Sequence, residues 1–394
     1  MCTEYAQIGW RRVMARGSVF RRSGGWGYRV DAGFQPDTGK RRQMLKQGFA
    51  TKKEAEVALA GAVRDASRGS VVSKTSVRVD GFLHDWLANE RSRLRLTTLH
   101  SYDMIVARIN RQLGQHALQS LIPMQIEKFY SSLLATGSND GKPLAPKTVR
   151  NTHVVLRKAL SDAERLGLVV RNAATSARPP ATTRSDHTTW SSDDLREFFN
   201  SVADDRMYAA YALLATTGMR RGEVLGLRWS DVDFDEVQLA ISQTLSTAGW
   251  HALVIGPPKT QRSRRHEFLD VRTVEVLREH RKRQREERLA ASPAWEASSD
   301  LVFRDELVGM VHPDRFSRVF DQTVRSLEVP RIRLHDLRHT YATLALKAGV
   351  HPKVVSERLG HATVGVTLDL YSHVVPSIAR DAADVVASRI YNQR

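Results

Sequence analysis

The sequence predicts a multidomain, mainly α-helical protein with small β elements, on three observations. Helical apolar periodicity dominates from Gly81 onward. Period-two alternation is confined to short stretches, one near the N-terminus and others between residues 237 and 269. Two linker-like segments, Val71–Ser76 and Arg178–Thr189, divide a chain of 394 residues, a length that allows two or three domains. The expected division is a small sheet plus helix over 1–70, a four-helix bundle over 76–178, and a mixed α+β unit over 186–394.

At the N-terminus, Trp26, Tyr28 and Val30 alternate with Gly27 and Arg29, the signature of a strand with one wet, basic face. Pro36-Asp37-Thr38-Gly39 signals a turn, and a second basic strand is expected from Lys40 to Phe49. Thr51 and Glu54 form a capping box ahead of a helix reaching Ala66. Of the formal net charge of +17, more than half sits in residues 1–53, which hold twelve basic and three acidic side chains. The stretch also carries Trp10, Phe20, Trp26, Tyr28, Phe34 and Phe49, and disordered tails are poor in aromatics. A folded polyanion-binding module is the expectation, with Arg21, Arg22, Arg29, Arg41 and Arg42 as candidate DNA contacts.

The bundle follows. Phe82, Trp86 and Leu87 open it; Tyr102, Val106, Ile109 and Leu113 form a second stripe, Ile126, Phe129, Tyr130, Leu133 and Leu134 a third, and Val149, His153, Leu156 and Leu160 a fourth. Gly114, Pro123 and Gly137–Lys142 separate the helices. His153 is expected to pack rather than react. Pro179 and Pro180 cannot lie inside a helix, so a new unit starts beyond them. There Tyr208–Thr217 reads as a buried helix stopped by Gly218, and Val237–Ile241, Trp250–Ile255 and His266–Leu269 as strands. Val271–Leu289 and Phe316–Leu327 read as amphipathic helices.

No apolar run approaches the roughly 18 residues of a membrane span, no signal-peptide pattern precedes Arg11 and Arg12, and Cys2 is the single cysteine. A soluble, intracellular chain without disulfides or thiolate metal sites is expected.

The chemistry concentrates between His335 and Tyr371. His335 and Arg338, three apart, share a helix face, and Asp336 suits the positive end of that helix. Gly349 suits a helix stop by its backbone freedom, Pro352 suits a first turn, Gly360 ends that helix, and Thr363 suits the cap of a last short one. An arginine, two imidazoles and the Tyr371 phenol thus come to one place, a set suited to phosphate chemistry with a tyrosine nucleophile. Upstream, Thr217–Glu223 places Arg220 and Arg221 at a helix junction. Arg220 offers a planar fork to a phosphate, and Glu223 can hold that fork from behind. Lys259, with Arg262, Arg264 and Arg265, lies in a turn between strands; spacing alone reads these as DNA-backbone contacts.

In order and local context, Arg220, Lys259, His335, Arg338, His361 and Tyr371 resemble the six active-site positions of the tyrosine recombinases, and the whole chain looks like a phage or mobile-element integrase. The resemblance implies an arm-type DNA-binding domain, a core-binding bundle and a catalytic domain. It implies that Tyr371 attacks a scissile phosphate to give a 3′-phosphotyrosyl link and a free 5′-hydroxyl. His335 would serve as base, Arg220, Arg338 and His361 would bind the phosphate oxygens, and Lys259 would protonate the leaving oxygen. Neither ATP nor a metal is required, because the covalent link conserves the phosphodiester energy. The implied partners are double-stranded DNA at core and arm attachment sites and three further copies in a tetramer, with an excision factor or a host DNA-bending protein as accessory candidates and no membrane. The implied setting is the bacterial cytoplasm, at the nucleoid. The resemblance also suggests that the tail beyond Pro376, with Ile378, Val385, Val386 and Ile390, packs on a neighbouring protomer.

Other readings compete. His335 and His339 are spaced as zinc ligands on a helix, but Arg338 beside them repels a cation and no third ligand stands out. Tyr341 falls in an apolar helix and Tyr391 in the tail. A type IB topoisomerase would share the pocket but needs no second DNA-binding module, and a silent DNA-binding regulator would not need all six groups.

Overall fold

A computed structural model describes residues 17–22, 24–34, 41–67, 75–138, 140–182, 188–249, 252–258, 263–291, 300–306, 309–361, 363–370, 387 and 390–391. Trp10, the Pro36–Gly39 turn, Trp250, Lys259, Arg262, Tyr371, and the tail positions Ile378, Val385 and Val386 lie outside the described residues. The chain divides into two compact units, Met1–Thr183 and Arg184–Arg394.

The first unit opens with an antiparallel sheet in the order β1 (Gly17–Arg22), β2 (Gly25–Phe34), β3 (Arg41–Phe49). The alternation read in β2 is real: Tyr28 and Val30 are buried, whereas Arg29 is exposed. β1, which pairs Gly17 with Val30 and Arg22 with Gly25, was not expected. Its Gly-Ser-Val-Phe-Arg-Arg run is nowhere fully buried, so no apolar alternation marks it. Helix α1 (Lys52–Ser67) starts at the expected capping box, with Glu54 N donating to Thr51 Oγ1 at 3.2 Å and Thr51 N to Glu54 Oε2 at 3.4 Å. It lays Ala62, with Ala58, Leu59 and Val63, on Tyr28 and Val30.

A separate apolar cluster holds α2 (Val79–Glu90), α3 (Leu96–Leu113), α4 (Pro123–Thr136), α5 (Pro146–Arg165) and the single turn α6 (Ala173–Ser176). Leu83, Ile109, Ile126, Val149 and Leu156 are fully buried. Proline occupies the first turn of α4 and α5, where its missing N–H costs nothing. His153 is buried, with Nδ1 2.8 Å from the Tyr130 hydroxyl, and burial followed by Arg157 and Arg150 lowers its pKa. It is a packing residue.

The second unit begins with α7 (Ser192–Ser201), opened by a reciprocal Ser191–Asp194 capping box, and continues through α8 (Tyr208–Thr217) and α9 (Arg221–Leu225). Strands β4 (Val232–Asp233), β5 (Gln238–Ile241), β6 (Thr244–Ala248), β7 (Ala252–Gly256) and β8 (Arg265–Phe268) form a sheet β4-β5-β8 and a hairpin β6-β7. Then come α10 (Val271–Ala291), α11 (Pro313–Arg325), α12 (Asp336–Lys347), α13 (Pro352–Leu359) and α14 (Val364–Leu370). Trp190, Phe198, Tyr211, Phe316 and Phe320 centre the core, Tyr211 stacking on Phe316 at 5.0 Å.

Gly218 is a tight backbone position. It ends α8 in the left-handed conformation, at φ +67°, and an added Cβ would lie 2.6 Å from Tyr341 and 2.7 Å from Leu359. Gly218→Ala is expected to destabilise the second unit by about 1–3 kcal/mol. Thermal melting checks this, each kcal/mol lowering the midpoint by roughly 2–4 °C in a domain of this size.

Candidate active site

Four of the six expected groups converge from three helix ends. Asp336 opens α12 by accepting from Arg333 N at 2.8 Å, Nε at 3.0 Å and Nη2 at 2.9 Å. That first turn sets His335 at the helix start and turns Arg338 inward, where it is 4% exposed. Arg338 donates from Nη1 to Gly218 O at 2.7 Å and from Nη2 to Leu359 O. Gly218 and Leu359 are the ends of α8 and α13, so one guanidinium joins three helices.

Arg220 caps α9. Its backbone N–H donates to Glu223 Oε2 at 2.9 Å and its Nη1 to Oε1 at 2.8 Å, while Nη2 reaches Gly360 O at 3.4 Å. Glu223 is 3% exposed and the Arg220 side chain 38%, so the carboxylate holds the guanidinium from the protein side and leaves it open to a ligand. Burial by itself raises the Glu223 pKa, but Arg265 and Arg220 pull it below the usual carboxylate range. The group is an anion at neutral pH.

Gly360, at φ +59°, ends α13 and turns the chain so that His361 follows in the loop. His361 Nδ1 lies 2.8 Å from Thr367 Oγ1 on α14. Its pKa falls to about 4, through burial first and then Arg338 and Arg220. His335 shifts the same way: although the residue keeps much of its surface open, its ring is desolvated by the surrounding protein, and Arg338 adds to the effect. Both imidazoles are therefore neutral at pH 7, beside two permanent cations. His339 meets His335 edge to face at 5.5 Å. Among the described residues no group of three or more His, Cys, Asp or Glu is placed to hold a metal ion.

Lys259 and Tyr371 lie outside the described residues; in sequence Tyr371 directly follows α14. Tyr341 is half-buried in α12 under the Arg358 guanidinium, at 5.7 Å, and burial raises its pKa.

The candidate DNA-contacting arginines separate. Arg21, Arg22, Arg29 and Arg264 are exposed, Arg21 resting over Trp26 at 5.7 Å and Arg22 over Phe20 at 5.6 Å. Arg41 and Arg42 lie in β3, and Arg262 is outside the described residues. Arg265 corrects the expectation. Its side chain is 8% exposed and committed to protein acceptors: Glu267 Oε1 at 2.7 Å, Glu223 Oε2 at 3.2 Å and Arg358 O at 2.7 Å. Paired with two buried carboxylates, it stands apart from the exposed Arg264. Sequence reading overlooked Glu267, which is fully buried, and Arg358, whose Nε lies 3.3 Å from Glu267 Oε2. A signal existed, since Arg265 and Glu267 alternate on one face of a strand.

Residues 191–377 match the phage integrase family, and residues 19–62 match an arm DNA-binding domain. A tyrosine recombinase XerC-like protein of Caldanaerobacter subterraneus subsp. tengcongensis is 25% identical over 95% of this chain and 99% of its own. The Tn1549 transposon integrase, solved with a circular intermediate DNA, superposes with a TM-score of 0.67 at 17% identity, covering 79% of this chain and all of that one. Lambda integrase, solved as a tetramer bound to a Holliday junction, superposes with a TM-score of 0.55 at 16% identity over 91% of this chain and 95% of that one. At those identities the likeness to the solved structures is one of fold. Taken with the family matches to both ends of the chain, the converging Arg220, His335, Arg338 and His361 identify it as a member of the phage integrase family, the site-specific tyrosine recombinases.

Proposed function

We propose that this recombinase cuts and rejoins double-stranded DNA through a 3′-phosphotyrosyl intermediate on Tyr371, integrating or excising a phage or mobile element. The observation that carries the reading is the convergence of the Arg220 and Arg338 guanidiniums beside two neutral imidazoles. Two fixed cations suit the non-bridging oxygens of a phosphodiester and the charge that builds on them in the pentavalent transition state. As the Tyr371 oxygen bonds to phosphorus, its proton passes to His335. The bond to the 5′-oxygen breaks, and Lys259 protonates that oxygen. With the Thr367 hydroxyl, 2.8 Å away, as the donor to Nδ1, the His361 proton would sit on Nε2, where it can donate to the phosphate. The 5′-hydroxyl of a partner strand reverses the step and completes exchange.

Other parts of the chain fit this role. Arg22 and Arg29 on the wet face of the β1–β3 sheet, with the exposed Arg21 at the edge of the other face, suit an arm site, and the separate apolar cluster of α2–α6 suits a core-binding bundle. The three-domain division at 1–70, 76–178 and 186–394 belongs to this reading, as does a homotetramer, the state in which lambda integrase was solved on a Holliday junction. An excision factor or host DNA-bending protein would be an accessory partner. Among the described residues no helix is long and apolar enough to cross a membrane, which is compatible with action at the nucleoid.

The acid–base assignment predicts a pH profile. The neutral form of His335 is the active base, and its pKa lies below 6.5. The midpoint of any acid loss of the covalent-complex rate through this imidazole is therefore expected below pH 6.5. Stability moves in the same sense. Below pH 6.5 the unfolded chain binds a proton at residue 361 that the folded site refuses until about pH 4, so stability is lost as pH falls through that window. Single-turnover rates with melting curves at each pH separate the two effects. A rate whose half-loss lies at or above pH 6.5 would remove His335 as the base.

A further inference from the structure

We infer that Arg265 is a positioning residue that holds the two phosphate-binding arginines in register, and this rests on the strand-cleavage reading above. The last carbonyls of a helix have no partner within it and carry partial negative charge. At the end of α13 three successive carbonyls each meet a different arginine. Arg358 O accepts from Arg265 Nε at 2.7 Å, Leu359 O from Arg338 Nη2, and Gly360 O from Arg220 Nη2 at 3.4 Å. One helix end is thus a template for three guanidiniums. Two of them are the expected phosphate-binding pair, and the third is tied to buried carboxylates.

The third reaches Arg220 a second way. Arg265 Nη2 and Nη1 lie 3.2 Å and 3.4 Å from the two oxygens of Glu223, the carboxylate that holds Arg220 at 2.8 Å. Its Nε also meets Glu267 Oε1 at 2.7 Å, which anchors it to the strand β8 on which it stands. Glu267 is itself closed off by Arg358, with Nε 3.3 Å from Oε2. Arg265 therefore fixes both supports of Arg220, the carboxylate behind it and the helix end beside it. A lysine keeps the charge but has one compact ammonium, which cannot span Glu223, Glu267 and the Arg358 carbonyl together. Since Arg265 is 8% exposed, its influence should fall on the chemical step and not on DNA affinity.

The test uses the full chain and a nicked core duplex, selected by binding to the parent protein from a random pool. Arg265→Lys is expected to slow single-turnover covalent-complex formation by roughly 10- to 100-fold, as a displaced positioning group does. Its dissociation constant for the duplex should stay within about twofold of the parent value, and in an Arg220→Lys background it should add less than about threefold, because the group it positions is gone. Cleavage at the parent rate overturns the inference. So does a loss that tracks the unfolded fraction, weakens DNA binding in proportion, or repeats at full size in the Arg220→Lys background. If Arg265→Lys does not fold, the isosteric Glu267→Gln loosens the same anchor. Slower cleavage at parent affinity supports the inference, and parent-rate cleavage overturns it. A parent chain that binds the duplex yet forms no covalent complex removes the strand-cleavage reading itself, whereas parent cleavage matched by Arg265→Lys removes the positioning role alone.

Discussion

Tyr371→Phe is expected to bind the core duplex with parent affinity and to form no covalent complex at any time or protein concentration. The substitution removes one oxygen, so binding surfaces are untouched while the bond that defines the intermediate cannot form. A free phenol, with a pKa of about 10, is a weak nucleophile at neutral pH and depends on its surroundings for activation. In the proposed mechanism that activation would come from the neutral imidazole of His335 and the cationic field of Arg220 and Arg338, which favours phenolate. A denaturing gel of labelled nicked duplex incubated in EDTA makes the measurement. A shifted band in the parent chain that is absent in Tyr371→Phe is the expected result, and a band that survives the substitution would assign cleavage to another residue.

Arg338→Lys is expected to lower the cleavage rate by about 10²- to 10³-fold, the usual cost of removing one donor to an oxyanion. It should also destabilise the second unit. Arg338 is 4% exposed and bonds both Gly218 O and Leu359 O. A lysine cannot satisfy both, and a buried carbonyl left without a donor costs about 1–3 kcal/mol. The two effects are read separately, as a single-turnover rate below the melting transition and as a shift in that transition. Parent-rate cleavage would exclude Arg338 from the phosphate-binding pair. The contrast with Arg265→Lys is informative: under the proposal Arg338 would touch the phosphate, whereas Arg265 would act through Arg220.

Local signals explain what could be read from the chain. The Thr51–Glu54 capping box, Pro352 in a first turn and the left-handed Gly218 and Gly360 each depend on residues a few positions apart, and each stands where it was expected. The same locality brings His335 and Arg338 onto one helix. The Ser191–Asp194 capping box of α7 was equally local and was passed over. Other features depend on distant neighbours. β1 has no fully buried position and exists through its pairing with β2. Arg262, Arg264 and Arg265 look alike as a basic run beside a turn, yet Arg264 is exposed and the Arg265 side chain is only 8% exposed. What distinguishes them is Glu223, 42 residues away, and the Arg358 carbonyl, 93 residues away. No periodicity carries that information.

The central claim, that Tyr371 becomes covalently joined to the 3′ end of the cut strand, is tested most directly by mass spectrometry of the trapped complex. Trypsin and nuclease digestion would reduce it to a peptide bearing a nucleotide. Cleavage after Arg358 and Arg380 releases Leu359–Arg380, in which Tyr371 is the sole tyrosine; Tyr341 and Tyr391 fall in other fragments. The account predicts a nucleotide adduct on Leu359–Arg380, fragmented to Tyr371, with a free 5′-hydroxyl on the departing strand. An adduct on the Tyr341 or Tyr391 fragment, or a 5′-linked nucleotide, would contradict it.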